Sequence, residues 1–284
     1  MQKLNKVLTT RFLKFLDEQS EKQPETYEKF YGEYNRFLKE GIATDYTHRE
    51  ALGKLLRFES STLDAGKQTS LADYVKRMPS EQTEIYYIMA ANREAALASP
   101  YYEVFLARKY EVLFLYDALD EFVMDHLATF ESKPLKAAEK AELNVENQAQ
   151  DGLSEEAAKA LAEWMKTSLG DRVGEVRASK RLVDSPAVVV DSDKFLTSSM
   201  RRIMKAMKKN ADADLPVTLD LEINPRHAIM SRLDAMRKTD EALATKVTEQ
   251  VLDNARVAAG LLEDPRAMLK RLNELMEQVL TAKS

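Results

Sequence analysis

The sequence predicts a two-domain α+β / α/β chain: a helical segment with a small βαβ layer, then an α+β domain that ends in a helix hairpin. Three observations lead there. Glycine and proline are scarce, eight each in 284 residues, so long elements with few breaks are expected. Short apolar runs rich in aromatic and branched residues, the pattern of buried strands, occur in two clusters among segments of helical period. Between the clusters lies "KAAEKAELNVENQAQDG" (136–152), polar and poor in apolar residues. The boundaries that follow are 1–137 for the first domain, 138–152 for a linker and 153–284 for the second domain.

Residues 1–57 carry helical spacing in three pieces, 3–18, 24–39 and 48–58, with the "EGIATD" turn separating the last two. Tyr27, Phe30, Tyr31, Tyr34 and Phe37 recur at intervals of three and four, the spacing of interhelix packing. "SLADYVKRM" (70–78) reads as a short helix with Thr69 or Ser70 as its N-cap. "EIYYIMA" (84–90) and "EVLFLY" (111–116) read as buried strands, joined by helical "REAALASPYYEVFLARK" that breaks before Pro100. A helix at 118–130 follows, and strand–helix–strand–helix implies a small parallel sheet.

In the second domain, "SEEAAKALAEWMKTSLG" (154–170) is a helix opened by Ser154 and closed by Gly170. "VGEVRASKRL" and "PAVVVD" are strands joined at 183–185, and "VTLDLEIN" (217–224) is a third. Helices are expected at 225–236, 239–262 and 264–281. On the last, Met268, Leu272, Leu275 and Val279 are spaced 4-3-4, flanked by Leu269, Met276 and Leu280. The preceding helix carries a narrower stripe of Leu243, Val247, Val251, Ala255 and Ala258. A hairpin with this much apolar face suits pairing about a two-fold axis into a four-helix bundle. The rival arrangement is a hairpin packed wholly within its own domain.

One further helix stands out, within "DSDKFLTSSMRRIMKAMKKNADAD" (191–214). Leu196, Met200, Ile203, Met204 and Met207 share a face roughly 100° wide. Lys194, Arg201, Arg202, Lys205, Lys208 and Lys209 lie opposite. Such a basic amphipathic helix (193–209) serves a core, a membrane surface, a nucleic acid or an adaptable protein-binding face. The net charge of −5 argues against a general nucleic-acid binder. No apolar run reaches the length needed to span a bilayer, so no stable membrane insertion is expected.

Catalytic signals are weak. There is no cysteine, which removes disulfides, thiolate metal sites and cysteine nucleophiles together and suits a reducing cytoplasm. His48, His126 and His227 stand at no metal-ligand spacing from one another, so no metal and no cofactor are expected. Neither a phosphate-binding Gly loop nor a nucleophile elbow occurs. Asp117, Asp120 and Glu121 cluster at a helix start, where carboxylates are favoured by the helix dipole. The enzymatic alternative, a small α/β enzyme with an acidic site at 117–121, rests on that cluster.

Seven collinear segments carry a resemblance: "GKLLRFESS", "TSLADYVKRM", "EIYYIMA", "SPYYEVFLARKYEVLFLYDALDEFVM", "SLGDRVGEVRASKRLVDSPAVVV", "LEINPRHAIMSRL" and "NARVAAGLLEDPRAMLKRLNEL". They resemble the heat-shock protein 90 chaperones, in the bacterial HtpG and mitochondrial branch, over essentially the whole chain. The resemblance implies the end of a middle domain followed by a C-terminal dimerisation domain. Members of that family hydrolyse ATP with Mg using an N-terminal domain and a middle-domain arginine that have no matching positions here. No enzymatic activity of this chain is therefore expected. It implies a homodimer, unfolded or partly folded client proteins and other chaperones of the folding network as partners, and no nucleic acid. It also implies a bacterial cytoplasm, or the mitochondrial matrix in a eukaryote. Carried onto this sequence, the client-binding positions are Glu121, Phe122 and Asp125 on one helix, with Phe122 where the bacterial members have tryptophan. On the amphipathic helix they are Leu196, Met200, Ile203 and Met204, with Met207 on the same face. The ending "LTAKS" lacks the acidic co-chaperone pentapeptide of cytosolic eukaryotic members.

Overall fold

The structure, a computed structural model, describes residues 2–145, 152–192, 197, 200, 219–262 and 264–281. Two compact units divide the chain. The first comprises Met1–Leu97 and Lys109–Ala141, the second Ala98–Arg108 and Glu142–Ser284. The excursion 98–108 thus belongs with the second unit, although it lies inside the 1–137 stretch expected as the first domain.

The first unit opens with α1 (Gln2–Lys22), α2 (Pro24–Thr44) and α3 (Arg49–Leu55). The turn expected at 40–45 is absent as a break, and α2 runs through it. A Cβ at Gly41 would stand 3.0 Å from a Leu52 methyl, so this glycine permits close packing of α2 on α3. Next come β1 (Phe58–Ser60), β2 (Gln68–Thr69), α4 (Leu71–Arg77), β3 (Ile85–Met89) and α5 (Arg93–Leu97). After α6 (Glu103–Arg108), which belongs to the second unit, follow β4 (Leu113–Leu115), α7 (Ala118–Leu127), β5 (Thr129–Phe130) and β6 (Lys133–Ala137). The sheet order is β2-β1-β4-β3-β6-β5, with β3 parallel to both neighbours. The expected parallel pair is present. β1, of which only Phe58 falls in the helix expected at 48–58, and β6, which lies within the expected first domain but is not read there as a strand, enlarge the sheet.

Ser70 caps α4 by accepting the Asp73 N–H at 3.0 Å. The buried Tyr74 then docks that helix on the sheet. Its hydroxyl donates to the Glu111 carbonyl (2.5 Å) and accepts from Gln82 Nε2 (2.9 Å) and the Tyr86 N–H (3.1 Å). One proton and two lone pairs are all used. Arg77 adds a two-pronged contact to the Glu111 carboxylate at 2.7 and 3.0 Å. Across the unit, Lys39 Nζ of α2 lies 2.6 Å from Asp120 Oδ1 of α7, with both side chains buried. Burial raises the Asp120 carboxyl above the usual aspartate range, and the Lys39 charge opposes that rise.

In the second unit, α8 (Glu155–Leu169) has Ser154 as its N-cap and Gly170, at positive φ, as its C-cap. β7 (Val176–Ala178), β8 (Ala187–Asp191) and β9 (Leu219–Ile223) form a sheet in the order β7-β9-β8. β7 and β8 are therefore consecutive in sequence but not neighbours, because β9 lies between them, parallel to β7 and antiparallel to β8. α9 (Ala228–Met236), α10 (Glu241–Ala258) and α11 (Arg266–Thr281) follow. Leu161, Met165, Val189, Leu221, Met230, Leu233 and Leu252 centre the core.

The excursion 98–108 is fastened to this unit by specific bonds. The Glu103 carboxylate accepts the N–H groups of Val183 (2.7 Å), Asp184 (3.0 Å) and Ser185 (2.9 Å), and also the Ser185 hydroxyl. Tyr101 donates to the Val189 carbonyl at 2.5 Å, and Phe105 is fully buried. Of the expected linker, Ala138 and Ala141 are buried and the Val145 N–H donates to the Lys180 carbonyl at 2.9 Å.

Two outcomes are expected on unfolding in urea. Lys39→Met strands a buried carboxylate and costs about 3–5 kcal/mol at neutral pH. That penalty shrinks as pH falls through the raised Asp120 titration, because the protonated acid needs no counter-charge. Tyr74→Phe removes a hydrogen-bond partner from the Glu111 carbonyl, the Tyr86 N–H and Gln82 Nε2, of which the last keeps the Glu84 carbonyl, and costs at least about 1–3 kcal/mol.

Candidate functional site

The client-binding positions implied by the resemblance divide between α7 and the amphipathic stretch. α7 is capped by Asp117, whose Oδ1 accepts the Leu119 N–H at 2.9 Å. Its inner side buries Asp120, Glu121, Val123, Met124 and Leu127. Phe122 is half-buried and Asp125 exposed, so these two reach the surface, whereas Glu121 is 1% exposed. Glu121 and Asp125 both act on the Tyr87 hydroxyl, whose pKa is raised first by burial and then by these two carboxylates. Glu121 therefore belongs to the interior of the unit and is no surface contact. His126 Nδ1 lies 2.7 Å from the Phe122 carbonyl, within the turn that carries Phe122.

The acidic cluster does not converge. Asp117 is occupied with the cap, Asp120 faces Lys39 and Glu121 points inward. Asp117 and Asp120 thus each have a structural task, as cap and as partner of Lys39. Among the described residues, no group of His, Cys, Asp or Glu could hold a metal ion.

On the amphipathic stretch, Met200 is half-buried, and its N–H donates to the buried Thr197 Oγ1 at 3.1 Å. Leu196, Ile203, Met204 and Met207 lie outside the described residues. No described helix is long and apolar enough to cross a membrane.

The hairpin of α10 and α11 carries a run of exposed apolar side chains, Val257, Leu269, Met276, Val279 and Leu280. α11 buries none of its residues. Met268, Leu272 and Leu275 are half-buried, while Met276 (49%), Val279 (61%) and Leu280 (70%) are exposed. On α10, Leu243 and Val247 are half-buried and Ala258 is exposed. Val251 and Ala255 are buried in the core of their own unit, so the stripe expected for a partner is in part used internally. The reason is angular: these two residues lie on the side of α10 that covers the sheet, away from Leu243. Val257, half-exposed on α10, lies about 40° from Leu243 and extends the face of Leu243 and Val247 on the side away from Val251, although the sequence stripe omits it.

Comparison with known proteins matches residues 1–284 to the Hsp90 protein family. The chain is 45% identical to the chaperone protein HtpG of Desulfitobacterium hafniense, over 98% of this chain and 45% of that protein. It is 39% identical to the chaperone protein HtpG of Desulfotalea psychrophila, over 98% of this chain and 46% of the relative. It is 38% identical to the mitochondrial heat shock protein 75 kDa of Rattus norvegicus, over 99% and 41%. The chain thus spans a little under half the length of these relatives. With the match running from the first residue to the last, the chain belongs to the Hsp90 family.

Proposed function

We propose that this chain is the client-binding and homodimerising portion of an HtpG-type chaperone. It would hold unfolded or partly folded proteins, alongside other chaperones of the folding network, in a bacterial cytoplasm or a mitochondrial matrix. The first unit would correspond to the end of the family's middle domain and the second to its C-terminal dimerisation domain. ATP and Mg would act through residues beyond these 284, leaving this stretch without turnover of its own. The observation that carries the reading is the family match over the whole chain. The uncovered apolar face of α11 supports its dimeric part.

Magnitudes bear on how two copies would join. Fully burying one Leu, Met or Val side chain contributes roughly 1.5–3 kcal/mol, while association costs about 4–15 kcal/mol. The exposed halves of Leu269, Met276, Val279 and Leu280 on two copies give a sum of the same order as that cost. A stable dimer therefore also needs the half-buried Met268, Leu272, Leu275, Leu243 and Val247, and the resulting assembly would be a four-helix bundle.

Client holding is tested by light scattering of an aggregating substrate. Met200→Ser/Met204→Ser is expected to lose most of the suppression shown by the unaltered chain, and Phe122→Ser part of it. Equal suppression by all three sinks the client assignment. Sedimentation should give a dimer without ATP turnover, and Val279→Asp should convert it to a monomer.

A further inference from the structure

Because α11 buries none of its residues, apolar packing leaves its rotation about its own axis weakly fixed. Charge fixes it instead. Arg271 of α11, 11% exposed at its side chain, lies across two carboxylates of α10. Its Nη1 donates to Glu249 Oε2 at 2.7 Å and its Nη2 to Asp253 Oδ2. Asp253 is itself buried, and its other oxygen accepts from Arg172 Nη2 at 2.7 Å. Arg172 belongs to the short turn Gly170–Arg172 after α8, and its carbonyl accepts from Arg256 Nη2 at 2.6 Å. A second tie, Lys246 to Glu274 at 2.8 Å, is 40% exposed at both ends and screened by water.

We infer that Arg271, held by Asp253, is the positioning residue of the interface between two copies of this chain. At about 100° per residue, Arg271 stands roughly 90° from the centre of the stripe formed by Met268, Leu272, Leu275, Met276 and Val279. Locking Arg271 onto α10 therefore turns that stripe outward, beside the α10 face of Leu243, Val247 and Val257. The same carboxylate is anchored through Arg172 to the end of α8. The angle at which the stripe meets a second copy is thus set by the body of the unit. This inference rests on the homodimer reading above and adds to it the residue that orients the interface.

The chain has no cysteine, so a single introduced one reports the interface without background. The dimer dissociation constant is measured by sedimentation for the unaltered chain and for Arg271→Met, Arg271→Lys, Asp253→Asn and Lys246→Met. Disulfide yield between copies is measured for Val279→Cys in each background, and helix content by circular dichroism. Arg271→Met and Asp253→Asn should weaken the dimer at least about tenfold and lower the disulfide yield, with helix content kept. Lys246→Met should change the constant less than about threefold, as an exposed pair does. Arg271→Lys, which keeps the charge without the two-pronged fork, should fall between. A dimer from Arg271→Met as tight and as readily cross-linked as the unaltered one overturns the positioning role and leaves the dimer reading standing. So does a loss of affinity in Arg271→Met matched by an equal loss in Lys246→Met. A monomeric unaltered chain overturns the dimer reading, and this inference with it.

Discussion

Asp253 is 4% exposed, and a carboxylate so far from water is tolerable only beside matched cations. Arg172 and Arg271 supply them from opposite sides, one from the end of α8 and one from α11. Removing either cation leaves the buried carboxylate with one close partner in place of two, and such under-compensation costs more than the pair contributes relative to an apolar substitute. The constraint therefore acts less as glue than as a demand for one geometry. α8, α10 and α11 must meet where three side chains coincide, and the apolar stripe on α11 inherits its direction from that meeting point.

The first unit uses the same device at Lys39 and Asp120. Tyr27, Tyr31 and Leu38 of α2 pack in the same core as Val123, Met124 and Leu127 of α7, and that apolar contact admits some sliding. A charge pair at 2.6 Å admits far less. With its inner side so pinned, α7 keeps Phe122 and Asp125 at the surface. Glu121 adjoins Phe122 in the chain yet stands on the buried side of the helix, so a position carried over from the family resemblance need not reach the surface.

What could be read from sequence follows the range of the underlying interaction. Ser70 and Ser154 mark helix starts because a capping oxygen acts within three residues, and Gly170 marks an end for the same local reason. β3 and β4 announced themselves through buried aromatic and branched runs. β1 and β6, no shorter than those two, did not, because Glu59, Lys133, Pro134 and Lys136 interrupt their apolar pattern. Gly41 was misread as a break because local chemistry gives no sign of Leu52 approaching from another helix. Arg172 reaches Asp253 across 81 residues and Glu103 reaches the 183–185 loop across 80 to 82, separations at which no pattern in one sequence reports a contact. For the same reason, the stripe on α11 was legible while the side of α10 facing the sheet was not. A 4-3-4 spacing reports that a face is apolar but not which neighbour covers it.

On the proposed reading, two apolar surfaces serve partners of opposite kinds, and their composition and support differ accordingly. Counted with the flanking Leu269 and Leu280, the α11 face has four leucines, two methionines and one valine, on a helix clamped by buried charge. Such a surface suits one partner met in one register, as a second copy of the same chain would be. The face shared by Leu196, Met200, Ile203, Met204 and Met207 has methionine at three of its five positions. Unbranched thioether side chains repack at little cost, which suits partners with no shape in common. Exchanging the two compositions would harm both tasks: a rigid leucine stripe would reject most clients, and a methionine-rich hairpin would pair in several registers. The division of labour is thus written in side-chain shape, and "DSDKFLTSSMRRIMKAMKKNADAD" differs from α11 less in hydrophobicity than in how little its apolar face commits to any one partner.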